Sequence, residues 1–97
     1  MKKLGLLVRL KAKSGKETDV ESFIRGAINL AQQEDKTLTW YSFKIDNNTF
    51  GIFDTFENEE GREAHLNGDI AKALMENASK LLSEDPKIQK LDILSSK

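Results

Sequence analysis

The single histidine, His65, is the residue of this 97-residue chain best suited to proton chemistry. An imidazole with its ordinary pKa of about 6.5 can take a proton from a phenol or quinol, or return one to a peroxy intermediate, near neutral pH. The competing interpretation is structural, because His65 lies close to Gly68, a predicted helix break where an imidazole can cap a helix or bind a backbone carbonyl. The sequence leaves both roles open.

Asp54 is the carboxylate that we expect to support this site, because it lies inside a strongly aromatic strand. A carboxylate that is buried there without a partner would be costly. We therefore expect Asp54 to form an ion pair with Arg9 or Arg62, or to lie exposed at a strand end. The alternative is that Asp54 orients the ring of His65.

Aromatic and amide side chains are the candidates for substrate contact. Trp40 and Tyr41 are neighbours in a predicted strand and point to opposite faces, so one lines a pocket or an interface and the other lies in the core. Phe53 and Phe56 are either core residues or pocket walls. Asn67 either donates to a substrate oxygen or belongs to the helix break.

The composition excludes several classes of protein. Without cysteine there are no disulfides, thiolate metal sites or cysteine nucleophiles. With one histidine and no carboxylate cluster at ligand spacing, we expect no metal site. The sequence has no phosphate-binding loop, so we expect no nucleotide cofactor. The net charge of -1 argues against a nucleic-acid partner. No apolar run approaches the roughly 20 residues that cross a bilayer, so we expect a cytoplasmic protein that does not bind membranes.

Hydrophobic periodicity predicts a single domain over residues 1–97. Alternation with a period of two predicts a first strand over 4–12 with its apolar set in the core. The Thr18-x-x-Glu21 pattern of a capping box, followed by helical apolar spacing, predicts a helix over 18–34. In that helix Gly26 is expected to allow close packing on the sheet.

The remaining elements are predicted from β-branched runs and helix signals. Strands are expected over 37–45 and 50–56, joined by a tight turn in which Asn47 and Asn48 take positive φ. Asn58 is expected to cap a short helix over 58–66, Gly68 to break it, and Asp69 to cap a helix over 69–84. A last strand is expected over 88–94.

This βαββαβ order is typical of the ferredoxin-like α+β fold, a four-stranded antiparallel sheet with its helices on one face. The other face then keeps apolar side chains, namely Leu7 and some of Trp40, Tyr41, Phe43, Phe53, Leu91 and Ile93. A sheet that is apolar on both faces needs a second cover, and a second copy of the chain is the simplest one. We therefore expect a homodimer.

Several segments resemble the antibiotic biosynthesis monooxygenase family over nearly the whole chain. They are Thr39-Trp40-Tyr41-x-Phe43, the run 49–56, the run 60–68 and Lys87-Ile88-x-Lys90-Leu91-Asp92. The resemblance implies a dimeric α/β barrel that oxygenates quinol-like or polyketide aromatic substrates with molecular oxygen, without metal or flavin. The heme-degrading branch of the family has Asn, Trp and His where this chain has Val8, His65 and Met75, so heme degradation is not implied.

Three functions follow from this interpretation. The first is a cofactor-independent monooxygenase acting on a small quinol or polyketide-like aromatic, and the second is a non-catalytic dimeric barrel that binds a small aromatic or apolar ligand. The third is a structural dimer with a filled core. For the first two, we expect the ligand to lie between sheet and helices, with Asp54 and Tyr41 in supporting positions and Asn67 as a donor. The expected walls of that pocket are Val8, Trp40, Phe53, Phe56, His65 and Met75.

Overall fold

The computed structural model describes residues 3–97, and these follow the predicted order of elements. The elements are β1 (Leu4–Lys11), α1 (Glu17–Gly26), α2 (Ile28–Ala31), β2 (Thr37–Asp46), β3 (Thr49–Phe56), α3 (Glu59–Leu66), α4 (Asp69–Leu81) and β4 (Lys87–Asp92). The four strands form one antiparallel sheet in the order β2-β3-β1-β4. The predicted ferredoxin-like fold is therefore confirmed.

The core lies between the helices and one face of the two central strands, β1 and β3. Leu10 pairs with Phe50 across these strands, and both side chains are buried. Val20 of α1 and Leu74 of α4 belong to the same buried cluster. Each such side chain contributes roughly 1.5–3 kcal/mol by leaving water. The alternation that predicted the core face of β1 and β3 is confirmed.

The first helix differs from the prediction, because the expected helix over 18–34 is interrupted at Ala27 and ends at Ala31. The side-chain amide of Asn29 donates to the carbonyl oxygen of Gly26 at 3.2 Å and so competes with the helical backbone at this point. The capping box at Thr18 is also wrong, since Lys16 is the N-cap residue and makes no side-chain capping bond. A Cβ at Gly26 would meet nothing within 4 Å, so this glycine does not pack closely on the sheet.

The second helical region matches the predicted division at Gly68, with differences at its ends. Gly68, rather than Asp69, is the N-cap of α4, and Asp69 is its first residue. α4 ends at Leu81 instead of residue 84, because Leu82 leaves the helix to form a β-bridge with Ala12. β4 covers 87–92 rather than 88–94.

The hairpin between β2 and β3 forms at the predicted position, but without the predicted positive φ. Asp46 pairs with Thr49 across the two-residue turn, and Asp46 Oδ1 accepts a hydrogen bond from the backbone N–H of Asn48 at 3.1 Å. In residues 3–97, Gly15 is the one residue with positive φ, at 86°. The Asp46 side chain therefore closes the turn without a left-handed asparagine.

The helices of this fold are short, and the longest, α4, has 13 residues. Within the part of the chain that the structure describes, no helix has both the length and the apolar character that crossing a bilayer requires.

Two glycine-to-alanine substitutions should change stability in opposite directions. Gly26→Ala adds a Cβ in open space within a helix, so we expect it to raise the free energy of unfolding by up to about 1 kcal/mol. Gly15→Ala also meets open space but forces a side chain into the left-handed region, so we expect a loss of roughly 1–2 kcal/mol. Urea denaturation of the two variants measures both effects, and an equal change in the same direction would contradict this assignment.

Candidate functional site

The helix that carries His65 is fixed at its start by Asn58. The Oδ1 atom of Asn58 accepts a hydrogen bond from the backbone N–H of Gly61 at 3.1 Å, which confirms the predicted N-cap. From this start, α3 turns Arg62 and His65 toward the sheet, where each side chain is 7% exposed. His65 is thus a buried residue in the helix–sheet interface.

The imidazole of His65 lies between two carboxylates. Its Nδ1–H donates to Glu34 Oε1 at 2.6 Å, and its Nε2 is 2.8 Å from Asp54 Oδ2. The Asp54 contact is an ion pair without hydrogen-bond alignment, because neither Asp54 oxygen has a hydrogen bond of normal geometry within residues 3–97. The predicted structural role, in which the ring caps the helix or binds a carbonyl near Gly68, is therefore replaced by contacts with two acids.

Asp54 is fully buried and does not form the predicted ion pair with an arginine. Arg62 instead pairs with Glu59 at 2.5 Å and donates to the carbonyl oxygen of Leu91 at 3.2 Å. Arg9 is exposed, and its position in β1 turns it away from the core face. The alternative from the sequence, a contact between Asp54 and the His65 ring, is the one observed.

Attraction to the carboxylates of Asp54 and Glu34 keeps His65 protonated at neutral pH. Burial opposes the charge, but the Asp54 carboxylate and then the Glu34 carboxylate outweigh burial and raise the pKa of His65 from 6.5 to about 9. Burial raises the pKa of Asp54, and the nearby His65 works against that rise. The three residues therefore form one coupled array rather than three independent acids and bases.

Glu34 is the member of this array that the sequence did not reveal. It follows α2 and is held in place by Thr37, whose hydroxyl donates to Glu34 Oε1 at 2.7 Å. Its side chain is 20% exposed, more than that of His65 or Asp54. The contact joins residues 31 positions apart, so no local motif could indicate it, and the helix predicted over 18–34 assigned Glu34 to a helix end.

Three of the predicted pocket residues lie on the helix side of the sheet. The ring of Phe56 is 5.4 Å from the ring of His65, and Val8 belongs to the buried core. Trp40 packs against the same core, and its Nε1 is buried without a hydrogen-bond partner in the part of the chain described. These side chains surround the array with apolar contacts.

The other candidates lie elsewhere, so the predicted residues do not surround one cavity within a single chain. Phe53 is on the opposite face of the sheet, stacked on Tyr41 with ring centroids 6.4 Å apart. Met75 is 59% exposed on α4. Asn67 is the C-cap of α3, and its amide donates to the carbonyl oxygen of Glu63 at 2.9 Å.

Two small surface pockets adjoin the array. One, of about 140 Å³, is lined by Glu34, Asp35, Lys36, Thr37, Gly61, Ala64 and His65. The other, of about 190 Å³, contains Glu34 and Trp40 in its wall. Within residues 3–97, no group of three His, Cys, Asp or Glu side chains is arranged to hold a metal ion. The imidazole itself lies between the two carboxylates.

Comparison with known proteins identifies solved structures of the same fold. A protein of unknown function from Nitrosomonas europaea is 49% identical, with a TM-score of 0.98, over 100% of this chain and 94% of that one. A Pseudomonas aeruginosa protein is 20% identical, with a TM-score of 0.83, over 98% and 97% of the two chains. An antibiotic biosynthesis monooxygenase is 15% identical, with a TM-score of 0.81, over 95% and 99%. No protein-family model and no curated protein matches the sequence.

Stability should decrease at alkaline pH because of His65. Its pKa in the folded chain lies above the ordinary value, so its stabilising effect is complete below pH 6.5 and is lost as the pH rises through about 9. The expected decline in the free energy of unfolding is at most roughly 3 kcal/mol. Urea denaturation across this range measures it, and an NMR titration of the ring gives the midpoint directly.

The variant His65→Gln is the control for this pH dependence. It should be less stable than the parent at neutral pH. Its free energy of unfolding should not show the decline at alkaline pH that His65 causes in the parent. A ring titration midpoint near 6.5 in the parent protein would contradict the proposed coupling to the two carboxylates.

Proposed function

Because the chain belongs to the same family as the Nitrosomonas europaea protein and has the fold of an antibiotic biosynthesis monooxygenase, we propose that it is a cofactor-independent monooxygenase for small quinols. The observation that supports this proposal is the buried Asp54–His65–Glu34 array. An array of two carboxylates and an imidazolium can move protons at a site from which water is largely excluded.

The proposed reaction converts a hydroquinone and dioxygen into a hydroxybenzoquinone and water. The quinol supplies all four electrons, so one oxygen atom enters the ring and the other leaves as water. Loss of the phenolic proton makes the substrate a better electron donor to dioxygen. The protein must then accept one proton, return one to the reduced oxygen, and keep bulk water away.

The charge on His65 decides which of these steps it performs. With a pKa of about 9, the ring is protonated at neutral pH, so it is a proton donor rather than a base. We therefore propose that His65 returns a proton to the peroxy intermediate through Glu34, the more exposed carboxylate that its Nδ1–H contacts. Of the two roles that the sequence left open for a catalytic His65, only this one fits its resting charge.

Substrate contact is assigned to the residues that lie nearest the array. Phe56 contacts the His65 ring, and Trp40 lines a pocket together with Glu34. Val8 lies in the buried core. Phe53, Asn67 and Met75 lie outside this site, as described above. The proposal keeps Trp40 as an apolar wall of the neighbouring pocket, Phe56 as the fully buried ring that packs against His65, and Asp54 as the group that positions His65.

The proposed assembly is a homodimer that pairs the outer faces of two sheets. Tyr41, Phe53 and Leu7 form one row across β2, β3 and β1 on this face. Tyr41 is 56% exposed and Phe43 is 36% exposed. Large aromatic side chains at this level of exposure are typical of protein interfaces.

A second function, ligand binding without chemistry, is favoured by one observation. Both ring nitrogens of His65 already contact carboxylates, so the ring has no free nitrogen to offer a substrate. A protein of this kind would bind a small aromatic molecule and gain stability from it without consuming oxygen.

The dimer can be tested by adding charge to the outer sheet face. The double variant Tyr41→Lys, Phe43→Lys should sediment as a monomer at micromolar concentration, because paired lysines would repel across the two-fold axis. Met75→Lys, which changes an exposed side chain on α4, should leave the dimer intact. A parent protein that sediments as a single chain would refute the proposed assembly.

The monooxygenase proposal is tested by oxygen uptake with a panel of hydroquinones. We expect consumption above the rate of autoxidation and formation of the hydroxyquinone. His65→Gln should lower the rate by about 100-fold, the usual contribution of a positioned proton donor. Lys72→Gln, at an exposed position of α4, is the matched control and should not change the rate. A ligand-induced thermal shift without oxygen uptake would favour the second function.

A further inference from the structure

We propose that Glu34 and the 140 Å³ pocket beside it bind a single-ring phenol, whose hydroxyl donates a hydrogen bond to the Glu34 carboxylate. This inference rests on the proposed function, because it names the size class of the substrate and the group that receives its proton. Nothing in the comparisons assigns a role to Glu34.

The hydrogen bonds of Glu34 leave one of its oxygens available. Oε1 accepts from His65 and from Thr37, whereas no residue in the described part of the chain donates to Oε2. Oε2 lies beside Gly68, where a Cβ would be 3.1 Å from it, so the absence of a side chain at this glycine leaves room next to Oε2. The array thus presents a carboxylate that is held in place on one oxygen and free on the other.

The exposure of the three acid–base groups points to the same residue. Asp54 is fully buried, and His65, although it lines the pocket, is only 7% exposed and has both ring nitrogens against carboxylates. The side chain of Glu34 is 20% exposed and lines the pocket. A substrate proton therefore enters the array at Glu34.

The dimensions and wall of the pocket select a small ring. Its α3 side is formed by Gly61, which has no side chain, and by Ala64, which has only a methyl group, and this leaves space beside the His65 ring. A volume of about 140 Å³ is close to that of a cavity that accommodates benzene, so a single ring would fill this pocket. At the rim, Lys36 is engaged by Glu60, so it does not neutralise Glu34.

Binding of phenol under nitrogen tests this site separately from catalysis. In NMR titrations, phenol should shift the amide signals of Thr37 and Ala64, and anisole, which lacks the hydroxyl proton, should bind at least about tenfold more weakly. Glu34→Gln should weaken phenol binding by a similar factor. Ala64→Leu, which fills the pocket but keeps Glu34, should abolish the shifts, so the test does not depend on how well the Glu34 variant folds.

The matched control is Glu63→Gln, which removes one carboxylate charge just as Glu34→Gln does. Glu63 lies on α3 outside the pocket, so this variant should bind phenol like the parent. Equal binding of phenol and anisole, unaltered binding to Glu34→Gln or Ala64→Leu, or shifts at a different pocket would overturn the inference. Phenol binding without oxygen uptake would remove the proposed function and leave this site in place. Oxygen uptake that Ala64→Leu does not change would keep the function and reject the site.

Discussion

The arrangement of the helical layer depends on one buried interaction, the imidazolium of His65 between Asp54 and Glu34. Each of these groups alone would be costly to bury, and the cost is offset only because opposite charges are adjacent. An imidazolium suits the position since its charge is shared by two nitrogens that face different directions, one donating to Glu34 and the other forming the ion pair with Asp54. The interaction joins β3, α3 and the segment after α2.

The same interaction determines which chemistry is available. A carboxylate on one side of a histidine raises its basicity and leaves the second nitrogen free to act as a base. In this chain a second carboxylate occupies the other side, and the pKa of about 9 keeps the ring charged. In the proposed reaction, proton uptake is therefore assigned to the more exposed carboxylate, Glu34, and not to the histidine.

The sequence predicts those features whose causes are local. Alternation in β1 and β3, the N-cap at Asn58 and the break at Gly68 each depend on a few neighbouring residues, and all three are observed. Features that depend on distant partners were missed. Glu34 meets His65 only after the chain folds, and Leu82 leaves its helix because Ala12 is available for pairing. For Asp54 the sequence left an arginine partner, an exposed strand end and the His65 ring open; the ring is observed, and Arg62 is engaged by Glu59 and by two backbone carbonyls.

The sheet separates the proposed dimer interface from the proton-handling site. Residues alternate along β3, so Asp54 faces the helices while its neighbour Phe53 faces outward toward Tyr41. On that outer face Gly51 has no side chain, and the ring of Phe43 lies directly over its backbone. Because the two surfaces share strands but no side chains, a substitution on one face alters the other only through the position of the backbone. The proposed assembly and the proposed chemistry therefore depend on different side chains, and a substitution can test one without directly removing the other.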